Sequence, residues 1–172
     1  MKTFNYSIFL SFCVMILIGF ASCKHDPIRS DIDWELYEMA QETEGFTWYK
    51  NNATPLIKSA GSGHSYPKLR TRYNNVASQF LDSNGQVIDN SKFTDGSLIV
   101  KELLNNNDAL ELYAILLKDA DNEHADANGW VWGYLTASGD VTESATNKGA
   151  ACISCHSQPG NIDYGLMNKE FP

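Results

Sequence analysis

Leu98-Ile-Val-Lys-Glu-Leu103, Ala109-Leu-Glu-Leu-Tyr-Ala-Ile-Leu-Leu-Lys118 and Trp130-Val-Trp-Gly-Tyr-Leu135 are the three apolar runs that decide the fold of this chain. Turn signals bound them: Asp95-Gly96 before the first, Asn128-Gly129 before the third, and Ser138-Gly-Asp140 after it. Successive strands joined by short, turn-rich links read as an antiparallel meander. Within the first run Lys101 shares a face with Ile99 and Leu103, while Glu102 sits with Leu98 and Val100. A lysine on an apolar face is unusual, because desolvation lowers its pKa and raises its nucleophilicity. The second run is apolar enough to be buried on both faces. In the third, Trp130, Trp132 and Tyr134 share one face, which suits either ordinary core or the lining of a pocket.

Helical signals flank this middle. Asp31 or Asp33 can cap a helix starting near Trp34, with Gly45 as its stop. Asn51 to Ser65 is loop-like, and Tyr66 to Tyr73 is extended. Asn74 caps a short helix holding Val76, Ala77 and Phe80, and Asp82-Ser-Asn-Gly85 is a turn. A last helix is expected from about Thr146 to the motif at Cys152. The class is therefore α+β: mainly antiparallel sheet with flanking helices, in one domain over residues 34–172.

Composition narrows the function. The chain has 172 residues, of which 43% are hydrophobic and 20% charged, so disorder and a polytopic membrane protein are both excluded. Its formal charge is -8, and only Arg29, Arg70 and Arg72 are arginines, so nucleic acid is not an expected partner.

Residues 1–22 read as an export signal: Lys2 in the n-region, an apolar run from Ile8 to Phe20, then Ala21 and Ser22. That run of thirteen residues, broken only by Ser11, makes a helix of about 20 Å, too short for a hydrocarbon core of about 30 Å. Phe20-Ala21-Ser22-Cys23 resembles a bacterial lipobox, with Phe20 in place of the usual Leu. That resemblance implies lipidation of Cys23, a tether over residues 23–33 and a membrane-anchored lipoprotein facing the periplasm or the surface. Ordinary secretion, with Cys23 left as a free thiol, is the alternative.

The mature chain keeps only Cys152 and Cys155 besides Cys23, and they stand in Cys152-Ile-Ser-Cys155-His156. C-x-x-C-H is the attachment sequence of a c-type haem: two thiols reach the two vinyl groups, and the histidine becomes the proximal iron ligand. His156 would then need an acceptor for its other ring nitrogen. A zinc site lacks a second cysteine pair, although His64 or His124 could add a ligand. A thioredoxin-like pair lacks its βαβ context. One motif means one covalent haem c. Met167, eleven residues past His156, has a short reach around a haem edge; Met39 lies far upstream. His64 and His124 fall in polar loops and are expected to be solvated. A five-coordinate iron, open to a small ligand, is the expected state.

The order of these pieces carries a resemblance. His64-(x)5-Arg70-(x)3-Asn74-Asn75-x-Ala77 is followed by Asp95-Gly96-Ser-Leu-Ile-Val-Lys101-Glu102 and Tyr113-Ala-Ile-Leu-Leu-Lys118-Asp119. Then come Gly129-Trp-Val-Trp132, Cys152-x-x-Cys155-His156 and Asp163-Tyr164. Over roughly residues 60–170 this resembles the cytochrome P-460 family, which includes the beta class of cytochromes c-prime. The resemblance implies a mostly antiparallel β fold, a homodimer and a five-coordinate haem c near the C-terminus. One branch oxidises hydroxylamine and carries a lysine linked to the haem; Lys101 is the first candidate for that link and Lys118 the second. That branch also needs a carboxylate as proton acceptor, and Glu102, Glu111, Asp121, Glu123 and Asp126 are all available. The other branch binds nitric oxide or carbon monoxide without turnover. A redox partner cytochrome is implied for the first. A simple electron carrier with six-coordinate iron is the third reading.

Overall fold

The computed structural model describes residues 30–172. The export signal, Cys23 and most of the tether lie outside the described residues. Seven strands form one antiparallel sheet: β1 (Thr47–Trp48), β2 (Leu56–Ile57), β3 (Lys68–Tyr73), β4 (Leu98–Leu104), β5 (Leu110–Lys118), β6 (Trp130–Thr136) and β7 (Val141–Glu143). The order is β1-β3-β4-β5-β6-β7, with β2 also on β3. The expected meander is its centre: Lys101 pairs with Ala114, and Ala114 with Tyr134. Among the described residues no helix is long and apolar enough to cross a membrane.

Three helices accompany the sheet: α1 (Asp31–Gln41), α2 (Ile153–His156) and α3 (Met167–Glu170). Helix α1 starts three residues before the expected Trp34, and its cap is Ser30, whose Oγ accepts from the Asp33 N–H. Asp31, Ile32 and Asp33 thus belong to the domain, not to the tether. Asp33 is buried and faces inward, where its carboxylate accepts from the Ala145 N–H and the Ser144 hydroxyl. That contact ties α1 to the chain after β7. The short 3₁₀ turn (Ala77–Phe80) has Val76 at its cap position, and the Asn74 side chain accepts from the Ala77 N–H just before it.

The two sheet faces bury different cores. Leu98, Val100, Ile115, Val131 and Leu135 pack under α1 with Leu36 and Ala40. Ile99, Leu103, Leu112, Leu116, Trp130 and Trp132 face the other way, under the C-terminal segment with Met167. Period-two alternation accounts for this split, since neighbours along a strand point to opposite faces. Glu102 is on the α1 side, buried and paired with Arg72 and Arg70. Lys101 is on the other side.

No continuous helix runs from Thr146 to the motif. A 3₁₀ turn (Ala145–Asn147) stops at Lys148 and Gly149, both with positive φ, 52° and 71°. Gly149 is required by space as well as by its angle: a Cβ there would lie 2.5 Å from the Trp132 ring.

Candidate functional site

Between the C-terminal segment and the outer face of β4, β5 and β6 lies a cleft of about 380 Å³. Cys152 is half-buried and Cys155 exposed; both are free thiols lining the cleft, on the single turn of α2 that ends at His156. Ile99 and Leu116 from the sheet, with Trp132 and Tyr134 from β6, supply an apolar and aromatic lining. The aromatic stripe of β6 therefore divides: Trp130 is fully buried core, while Trp132 and Tyr134 line the cleft.

His156 is held from two sides. Its Nδ1 donates to the Tyr164 carbonyl oxygen at 2.7 Å, and the Trp132 ring stands edge-on at 5.2 Å between centroids. The carbonyl can only accept, so Nδ1 carries the proton and Nε2 keeps its lone pair free for a metal. Tyr164 is presented by an unusual turn in which Asp163 and Tyr164 both have positive φ, 46° and 70°. Such backbone persists only where the surroundings fix it. Here the buried Asp163 carboxylate accepts from the Phe93 N–H at 3.0 Å and sits 3.6 Å from Lys118 Nζ.

Lys118 is thereby committed elsewhere. Its Nζ also donates to the Asn128 carbonyl and lies over the Trp130 ring, and it is not among the residues lining the cleft. Lys101 lines it. Burial lowers the Lys101 pKa to about 8, against the opposing pull of Glu170 and Cys155. The same loss of water, followed by the Lys101 charge, lowers His156 to about 4 and His64 to about 3. Each group is pushed toward its neutral form.

His64 is not solvated, as its polar loop suggested. Its Nδ1 lies 3.4 Å from the Tyr134 hydroxyl, its Nε2 3.5 Å from Lys101 Nζ, and its ring centre 6.4 Å from that of His156. Gly61 and Gly63 precede it in a loop that Lys58 ties down by donating to the His64 carbonyl. His124, by contrast, stays apart from the cleft. Met167 lines it, but its sulfur accepts from the buried Thr71 hydroxyl. None of the five carboxylates singled out in the sequence reaches the cleft; Asp126, for instance, accepts from Trp132 Nε1. The cleft's carboxylate is Glu143 on β7; Glu170 on α3, hydrogen-bonded to Ser59, lines a small adjoining pocket that shares Lys101 and His156 with the cleft. Nothing in the local sequence around either residue signals that role.

Comparison with family models, curated proteins and solved structures returns no match to this chain. Among the described residues, no three His, Cys, Asp or Glu side chains converge to hold a bare metal ion. Two thiols and one free imidazole nitrogen beside an apolar cleft fit a metal that arrives in a flat organic ring. Haem c is such a group, and the residues present fit it.

Proposed function

We propose that the protein is an exported, membrane-anchored monohaem cytochrome c that binds, or carries out redox chemistry on, a small nitrogen compound such as hydroxylamine or nitric oxide. The observation that carries this reading is the placement of Cys152, Cys155 and His156 on one turn at an apolar cleft, with His156 Nδ1 engaged by Tyr164. The similarity of the motif order to the cytochrome P-460 family supports the same reading. Each thiol would add across a vinyl group, its sulfur bonding one carbon and its hydrogen passing to the other. When bound, the group supplies an iron centre that exchanges electrons and takes one small ligand.

The chain's own residues do the rest. Tyr164 fixes the orientation and tautomer of His156. Trp132, Ile99 and Leu116 exclude water, which strengthens every polar interaction inside the cleft. Lys101 is a hydrogen-bond donor lining the cleft and would be the candidate for a covalent link to the group. Glu170, near Lys101, is the better placed of the two carboxylates to accept protons released on oxidation.

An absorption spectrum of the full chain, made in a host that attaches haem c, tests this. Haem that survives denaturation and adds to the intact mass is expected, and Cys152→Ala with Cys155→Ala should abolish it. A chain without covalent haem would overturn the reading. A broad, red-shifted reduced Soret band lost in Lys101→Arg would favour hydroxylamine turnover. A normal high-spin band would favour gas binding.

A further inference from the structure

We propose that Asp163 is a positioning residue: by anchoring one strained turn it sets the strength of the hydrogen bond from His156 Nδ1 to the Tyr164 carbonyl, and with it the reduction potential of the haem. This rests on the haem reading above. An imidazole whose Nδ1–H is strongly bonded is the more basic ligand at Nε2. A more basic ligand favours the oxidised metal and so lowers the potential.

The turn aims a single carbonyl. Ile162 and Gly165 close it with a reciprocal pair of backbone hydrogen bonds, each 2.8 Å. Between them Asp163 and Tyr164 both take positive φ, which residues other than glycine adopt only at a cost in energy. The Tyr164 N–H donates to the Asn161 side-chain oxygen at 3.0 Å, and the Tyr164 carbonyl accepts from His156 at 2.7 Å.

Asp163 is what ties this turn to the sheet. Its side chain is buried, and Oδ2 accepts from the Phe93 N–H at 3.0 Å and lies 3.6 Å from Lys118 Nζ. Lys92 Nζ stands 3.5 Å from Oδ1. Lys118 is the last residue of β5 and is itself fixed by the Asn128 carbonyl and the Trp130 ring. Phe93 stands edge-on to the same ring at 5.7 Å. The carboxylate thus joins the turn to two separate segments of the core. Asp163 makes no hydrogen bond to His156, so the Tyr164 backbone is the route between them. Lys118, which does not line the cleft, has its part here.

Three substitutions separate the two demands on this residue. Asn keeps an acceptor for Phe93 and tolerates positive φ; Gly tolerates the angle but has no acceptor; Ala meets neither demand. Each is made in the full chain with haem attached. The readouts are the potential, by spectroelectrochemical titration, and the iron–histidine stretch, by resonance Raman of the reduced chain just after carbon monoxide is photolysed from it. Asp163→Gly and Asp163→Ala should keep covalent haem, lower the stretching frequency and raise the potential. Asp163→Asn should keep the wild-type stretch and move the potential less than half as far as Asp163→Gly. Should Asp163→Ala fail to fold, the Gly and Asn variants decide. Wild-type values in Asp163→Gly would show that the turn holds without its anchor, and would overturn the proposal. An Asn variant shifted in potential as far as the Gly variant would do the same, since charge rather than position would then be the cause. Either result leaves the haem reading intact, whereas absence of covalent haem from the wild type would overturn both.

Discussion

Lys101 shows how one side chain can be read from sequence alone. Alternation along β4 places it on the face of Ile99 and Leu103, and the structure has it lining the cleft on that face. A buried ammonium costs stability, and the sign follows from its depressed pKa of about 8. The unfolded chain binds the proton more tightly, so the cost is complete below pH 8 and disappears as pH rises through the ordinary lysine range. Lys101→Met in the haem-free chain should therefore be more stable than wild type at pH 7, by about 1–3 kcal/mol. Urea denaturation at pH 7 and pH 10 checks this: the advantage should shrink at the higher pH. An equal gain at both would mean that packing, not charge, sets the difference. His64 shows the converse. No local signal distinguishes its Gly-Ser-Gly-His loop from a solvated one, because what buries it is Tyr134 and Lys101 from distant strands.

At the scale of elements, the meander was legible because its strands are near-continuous apolar runs, buried on both faces, and its turns carry Asp-Gly and Asn-Gly. The flanks were less so. Ser30 and Asp33 compete for the same capping role three residues apart, and the deciding fact is that Asp33 is buried against Ala145. The expected helix after Thr146 fails for a tertiary reason as well: the chain must turn at Gly149 to pass the Trp132 ring. Gly149→Ala adds a methyl into that ring at a φ of 71°, so it should cost about 1–3 kcal/mol. Because Trp132 also stands against His156, near-ultraviolet circular dichroism of the tryptophans should change with it. An unaltered spectrum and melting temperature would show that the turn has room the structure does not reveal.

Over the whole molecule, the sheet separates a structural face from a chemical one. Charges under α1 are paired, as Glu102 is with Arg72 and Arg70. Three of the cationic groups on the cleft face are instead pushed toward neutrality: Lys101 to about 8, His156 to about 4 and His64 to about 3. A fold that keeps two histidines neutral is vulnerable to acid. Their folded pKa values lie below the unfolded value of 6.5, so the unfolded chain takes up more protons as pH falls from that value toward 4. Stability should be flat from pH 7 to 8 as far as these two groups are concerned, and should drop below pH 6.5. Between pH 7 and pH 5 each histidine contributes a loss of up to about 2 kcal/mol, so the haem-free chain should lose about 2–4 kcal/mol in all. His64→Gln keeps a polar side chain and removes one proton site, so its loss over the same interval should be about half. If haem is attached as proposed, it would engage His156 Nε2 and remove that site from the titration, so the haem-loaded chain would be less acid-sensitive than the haem-free one. Urea denaturation at pH 7 and pH 5 for the wild type and His64→Gln decides it: equal losses in the two would place His64 in solvent and remove it from the cleft.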